Sequence, residues 1–202
     1  MPLYLVRHGE TNWNREQRFQ SRTDVPLNEH GLAQARAVRD ELKRRDVCFV
    51  AARCSPMSRA IETARIILEG SGIDAQVERA FTELNFGRFE GRQEDELREE
   101  YGDAYTVWRS SEYTIAPPGG GESIVTGASR VRDALWSLAE EARLGNVLVV
   151  AHQAVNMAMK VALSGKVGVA SAATFRQRNN DVDIWDMDQR CRLEMFSVCG
   201  EV

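Results

Sequence analysis

Two arginine–histidine chemistries stand at the ends of apolar runs in this chain. Arg7 and His8 follow the run "LYLV", Arg59 closes the polar turn "SPMSR" after "VCFVAARC", and His152 follows "NVLVVA". Imidazole titrates near neutrality and serves as base or nucleophile. Guanidinium offers a planar fork of donors to an oxyanion. Gathered in one place, these side chains would bind an anion and act on it; scattered, they would be solvated strand ends. His30, the remaining histidine, lies in the first turn of an amphipathic stretch and reads as a solvated side chain.

The elements around them decide between those outcomes. Residues 3–6 form a short buried-type strand, and "NEHGLAQARAVRDELKRR" carries Leu32, Ala35, Val38 and Leu42 at helical spacing. "VCFVAARCS" is a second strand, "MSRAIETARIILEG" a helix closed by Gly70 and Gly72, and "AQVERAF" a third strand. "SIVTGASRVRDALWSLAEEARLG" reads as helical, "NVLVVAH" as a strand, and "QAVNMAMKVALSG" as the helix after it. The tail "DVDIWDM", "DQ", "CRLEMFS" reads as a hairpin. Such alternation predicts an α/β fold, a three-layer α/β/α arrangement with a mostly parallel central sheet, whose ligands sit outside the carboxyl ends of the strands. Arg7, His8, Arg59 and His152 all fall at that edge. Residues 82–121 mix glycines, aromatics and charges around the helix pair of "EDELREEYGDAYTVW"; the stretch reads as a lid inserted into one domain spanning residues 1–202.

Composition narrows the partners. A chain of 202 residues, 43% of them hydrophobic, suits one full core. A net charge of −4 argues against nucleic acid or an anionic membrane, both of which select a basic face. Any anion site must therefore be built locally. Cys48, Cys54, Cys191 and Cys199 form no C-x-x-C pair, which favours reduced thiols over disulfides or a metal site. With no leader pattern and no membrane-length apolar segment, the expected location is cytoplasmic.

"RHGETNWN", "TDVPLNEHGLAQA", "SPMSRAIETA", "ELNFGRFEG", "PPGGGES" and "VLVVAH", in this order from residue 3 to about residue 160, resemble the successive motifs of the histidine phosphatase superfamily. That group includes cofactor-dependent phosphoglycerate mutases, fructose-2,6-bisphosphatases and α-ribazole phosphatases. The resemblance implies a phosphoglycerate mutase-like fold and a phosphohistidine formed on His8, with Arg7, Arg59 and His152 holding the phosphoryl oxygens and Asn14 adding a neutral donor. Glu83 matches the general acid and base, which must hold a proton near neutral pH. Glu10 and Glu90 read as loop-fixing neighbours. Thr11, Gln20 and Ser21 are further candidate phosphate contacts, and Arg88 a substrate contact from the lid base. The arginines supply the charge a metal would otherwise bring, so no metal or other cofactor is expected.

Two departures stand out. Ser21 occupies a position where members commonly carry glycine, and "HQAV" replaces the glycine many carry after the second histidine, as in fructose-2,6-bisphosphatases. The compact length, "SRA" and "NFGRFEG" favour the phosphatase branch: a phosphomonoesterase acting on a small-molecule phosphate ester. A mutase ranks second, and a non-catalytic phospholigand-binding protein third, because nucleophile and acid are both retained. Residues 85–123 decide the leaving group, leaving sugar phosphate, phosphoglycerate, α-ribazole phosphate and phosphoamino acid open. The C-terminal hairpin could add a sheet edge or pair two copies as a homodimer.

Overall fold

In the computed structural model, which describes residues 1–198, strict alternation along the central strands feeds two separate cores. β1 (Pro2–Arg7) is followed by α1 (Asn12–Arg15), α2 (Glu29–Arg44), β2 (Phe49–Cys54), α3 (Ser58–Ile67) and β3 (Gln76–Val77). Then come α4 (Glu94–Ser110), α5 (Ile124–Trp136), α6 (Ala139–Leu144), β4 (Asn146–Ala151), α7 (Gln153–Ser164), α8 (Val169–Thr174), β5 (Asp181–Asp186) and β6 (Cys191–Ser197). Leu3, Leu5, Val147, Val149 and Ala151 point to the face covered by α5 and α7. Tyr4, Val6, Leu148 and Val150 point to the other, where Val38 and Leu42 of α2 and Ala60, Ala64 and Ile67 of α3 pack. Period-2 strands between helices of period 3.6 thus produce the three layers.

The sheet order is β3-β2-β4-β1-β5-β6. β3, β2, β4 and β1 pair in parallel, whereas β5 runs antiparallel to β1 and β6 antiparallel to β5. β1 and β4 lie side by side at the point where the strand order reverses, the location at which open α/β sheets form their crevice.

Local chemistry explains where the structure departs from the periodicity. The expected strand "AQVERAF" is reduced to β3, because the Glu78 carboxylate accepts the Ala80 amide and starts a 3-10 turn over Arg79–Phe81. The single helix expected before β4 divides into α5 and α6 around Ser137 and Leu138, and the break sends Leu138 into the core. α1 and α8 are too short to show a period. α4 is broken at Gly102, whose φ of +50° suits glycine, giving the expected pair of short helices. Cys54 is buried, and Cys48 and Cys191 are exposed; all three are free thiols, while Cys199 lies outside the described residues. No helix among the described residues is long and apolar enough to cross a membrane.

The far side of α7 carries a buried charge cluster. Lys160 Nζ lies 2.6 Å from Asp183 Oδ2, and Asp183 also accepts from Arg192 Nε at 2.8 Å and from Trp185 Nε1 at 2.9 Å. Burial pushes the Lys160 ammonium down to about 8. Removing the carboxylate strands a buried cation, so Asp183→Ala is expected to cost about 3–5 kcal/mol of stability, read as a lower urea midpoint. An unchanged midpoint would show that the cluster adds nothing to folding.

Candidate active site

Strand register brings the distant motifs together. Arg7 pairs with Ala151 and Cys54 with Val150, so the residues that follow, His8, Ser55 and His152, emerge at one level. Backbone bonds continue the ladder past the strand ends: His8 N–H donates to Ala151 O and Ser55 N–H to Val150 O, both at 3.0 Å. The rings of His8 and His152 lie edge to face with centroids 5.0 Å apart.

Hydrogen bonds assign each imidazole its tautomer. His8 Nδ1 is 2.7 Å from the carbonyl of Gly9, an acceptor, so Nδ1 carries the proton and Nε2 keeps its lone pair. Burial, then the charges of Arg59 and Arg7, push the His8 imidazolium well below its ordinary range, so the ring is neutral at pH 7. His152 has the opposite tautomer: Arg59 Nε donates to its Nδ1 at 3.2 Å, and its Nε2 faces Ser55 Oγ at 2.7 Å.

The two arginines are held from behind. Arg59, fully buried, donates through Nη1 to Thr23 O at 2.8 Å and through Nη2 to Ser21 O at 3.0 Å. Desolvation lowers it to about 10, still charged at neutral pH. Arg7 donates through Nη1 to Gln177 O at 3.1 Å, and its buried Nε has no partner among the described residues. Across the pocket, Glu83 is 7% exposed. Its Oε1 accepts the Leu84 and Val155 amides, each at 2.8 Å, and its Oε2 accepts the Ala154 amide at 3.2 Å. Burial outweighs these bonds to the N-terminus of α7 and raises its pKa.

These residues border a cavity of about 280 Å³. Of the positions singled out in the sequence, His8, Arg7, Arg59, Glu83, His152, Asn14, Gln20 and Ser21 line it. Thr11 and Arg88 do not. Thr11 is buried as the N-cap of α1, and its amide and hydroxyl bind Asn14 Oδ1, leaving the Asn14 amino group for the cavity. Arg88 sits on the outside of the 3-10 turn Gly87–Phe89, because burial of Phe89 in the aromatic core turns the intervening side chain to solvent. Glu10 ties Arg15 and Asn28 together, and Glu90 accepts from Thr23 Oγ1.

Ser21 adopts φ +48°, a region that favours glycine. Its hydroxyl donates to Leu84 O at 3.0 Å and accepts from the Phe86 amide at 3.1 Å, tying the strained backbone to the segment that carries Glu83. Gly9 lies where the start of α2 crosses: a Cβ there would lie 2.3 Å from Gly31 O.

Sequence reasoning missed the support from residues 177–179. Gln177 Nε2 donates to Leu5 O at 2.8 Å, and Asn179 Nδ2 donates to His8 O. It also missed Arg18, Glu94, Arg109 and Tyr113 on the cavity wall. Arg109 Nη1 donates to Tyr113 Oη at 2.7 Å and Arg109 Nη2 lies 3.6 Å from Glu94 Oε2. Nothing in the spacing of Glu94 and Arg109 sets them apart from solvated charges on a helix; only the position of α4 brings these two inward.

Residues 3–195 match the model of the histidine phosphatase superfamily (branch 1). The chain is 37% identical over 171 residues to a 2,3-bisphosphoglycerate-dependent phosphoglycerate mutase of Mesorhizobium japonicum, covering 82% of each. It is 30% identical over 178 residues to an adenosylcobalamin/alpha-ribazole phosphatase of Escherichia coli, covering 88% of this chain and 85% of the relative. Among solved structures it is similar to a mycobacterial glucosyl-3-phosphoglycerate phosphatase (TM-score 0.81, 28% identity, 91% of both chains). It is also similar to the alpha-ribazole phosphatase of Shigella flexneri (TM-score 0.79, 28% identity, 100% of this chain and 96% of the other). Matched over nearly its whole length and carrying the paired histidines at the ends of two neighbouring parallel strands, this chain belongs to the histidine phosphatase superfamily.

Proposed function

We propose that the protein is a metal-independent phosphomonoesterase that hydrolyses a small phosphorylated metabolite through a phosphohistidine on His8. The observation that carries this reading is a neutral His8 with a free Nε2 lone pair, set beside the buried Arg59 and the half-buried Arg7 and across the cavity from a buried carboxyl group. The Nε2 lone pair attacks phosphorus as the bond to the leaving oxygen breaks. The Gly9 carbonyl, bound to Nδ1–H, stabilises the positive charge that develops on the ring. Arg7, Arg59, His152 and the Asn14 amide meet the equatorial oxygens, where charge is spread in the transition state. Glu83 passes its proton to the departing alkoxide, then takes one from the water that attacks phosphohistidine; neutral His8 and inorganic phosphate are released. The segment 82–121 acts as the lid over this site, and its Arg109, Tyr113 and Glu94 face the leaving group. The cavity volume suits a small ester.

The test is phosphate release across a panel of phosphorylated metabolites. Extended EDTA treatment is expected to leave turnover intact, because arginine supplies the positive charge; loss of activity restored by a divalent ion would refute that arrangement.

The pH profile follows from the shifts. Activity needs neutral His8, whose pKa lies below 6.5, and protonated Glu83, whose pKa lies above 4.5. kcat/KM therefore rises as His8 loses its proton and falls as Glu83 loses its own, which gives a bell-shaped profile. A profile that shows no alkaline fall, or one that keeps it in Glu83→Gln, would contradict these roles.

The 37% identity to a phosphoglycerate mutase supports a second reading, mutase activity. The two differ in the fate of the phosphohistidine, which a mutase must keep from water until an acceptor hydroxyl returns. Phosphate release is expected to exceed interconversion of 2- and 3-phosphoglycerate in the presence of bisphosphoglycerate; the reverse order would favour the mutase.

A further inference from the structure

Ser55 is fully buried and is not part of the cavity lining, yet its hydroxyl lies 2.7 Å from Nε2 of His152. The opposite edge of that ring settles what the contact does. Arg59 Nε is a donor and nothing else, so its 3.2 Å contact with Nδ1 requires a lone pair there. The ring proton is then on Nε2, and Ser55 Oγ accepts it. Ser55 is itself fixed, since its amide donates to Val150 O near the end of β4, two residues before His152. The charged and titratable groups around the ring are Arg59 on α3, His8 and Arg7 at the end of β1, and Arg130 on α5.

We propose that Ser55 is a positioning residue for His152: it accepts Nε2–H, keeps the Nδ1 edge turned toward Arg59 and the cavity, and thereby sets the ring to become a donor when a phosphoryl group arrives. This rests on reading the cavity as a phosphoryl site. A phosphoryl oxygen beside Nδ1 meets a lone pair, so His152 donates there only after gaining a proton. The monoanion of a phosphate ester brings one. Transfer from the phosphate oxygen to Nδ1 leaves a dianion paired with an imidazolium; Arg59 Nε–H turns from Nδ1 to the dianion, and Nε2–H remains on Ser55 in a strengthened, charge-assisted bond. A carboxylate in place of Ser55 would hold the ring cationic beforehand. A neutral hydroxyl orients the ring and leaves the proton to come with the ligand. Without the hydroxyl, Nε2–H is left buried with no acceptor, a cost that the ring escapes only by turning or by moving its proton away from Nε2 and giving up the Arg59 contact.

The experiment compares wild type, Ser55→Ala and Ser55→Thr by nitrogen NMR of the histidine rings without ligand, by affinity for orthovanadate and for inorganic phosphate, and by thermal melting. The Ala variant is expected to melt near wild type, to lose the single Nε2–H signature of His152, and to bind vanadate about 10–100-fold more weakly, the range expected for one hydrogen bond to a charged group. Ser55→Thr, which keeps the hydroxyl, is expected to restore signature and affinity. An Ala variant that retains both the tautomer and vanadate affinity overturns the proposal. So does a Thr variant that folds but fails to recover them. If the wild type hydrolyses no ester while the Ala variant still loses the tautomer, the role of Ser55 stands and the phosphatase reading falls.

Discussion

His8→Ala is expected to lower phosphate release by roughly 10⁴-fold or more, because it removes the atom on which the covalent intermediate forms and leaves only binding and charge stabilisation. The fold should survive. His8 is 3% exposed, but its ring lies at the cavity and is bound through Nδ1 to its own neighbour's carbonyl, so its loss uncovers little apolar core. A melting temperature within about 4 °C of wild type is the expectation, the shift that follows from a change near 1 kcal/mol in a chain of this size. Acid-quenched wild type should carry phosphate on His8 and the variant none. A folded variant with substantial turnover would remove His8 from the covalent step.

Glu83→Gln is expected to cost about 10²–10⁴-fold on alkyl phosphates, whose alkoxides leave poorly, and far less on aryl phosphates, whose leaving groups need no proton. In the acid role the two oxygens of Glu83 are not equivalent. Oε1 accepts two amides at 2.8 Å, whereas Oε2 accepts one at 3.2 Å and is the freer to carry hydrogen. Glutamine can keep its carbonyl at the Oε1 position and set its amino group against the Ala154 amide alone, so the change removes the acid at the cost of one poor contact. Its alkaline pH limb should flatten, because the group whose deprotonation ends activity is gone. Equal losses on both substrate types, with the limb unmoved, would take the acid role away from Glu83.

The alternation of residues in β1 and β4 was legible in the sequence because a buried parallel strand is apolar on both faces, and Leu3 to Val6 and Val147 to Val150 have no other stable use. Helix α2 is legible through its 3.6-residue stripe and α7 through its closing Gly165, whereas α3 stops at a Leu68 cap two residues before Gly70. The short α1 and α8 are not legible, since they have too few residues to show a period, and of the strand expected at "AQVERAF" only the two residues of β3 form.

The site divides in the same way. His8, Arg7, Arg59, His152 and Glu83 stand in short motifs, and their nomination needs only residue type, order and the rule that strand ends face the crevice. Tertiary structure decided what sits behind and around them. Ser55 reaches His152, Asn179 reaches the carbonyl of His8 and Ser21 joins Arg59 to residues 84–86 through hydrogen bonds spanning 97, 171 and 38 to 65 positions of sequence. Thr11 turned inward to hold Asn14, Arg88 turned outward, and Arg109 came to the wall through the placement of α4. Apolar periodicity is a local property that a sequence must write along itself, whereas a hydrogen bond between distant polar groups exists only when the packed layers bring donor and acceptor within 3 Å; for that reason the chemistry at the strand ends could be read from the chain, and its tautomers, partners and leaving-group wall came only with the fold.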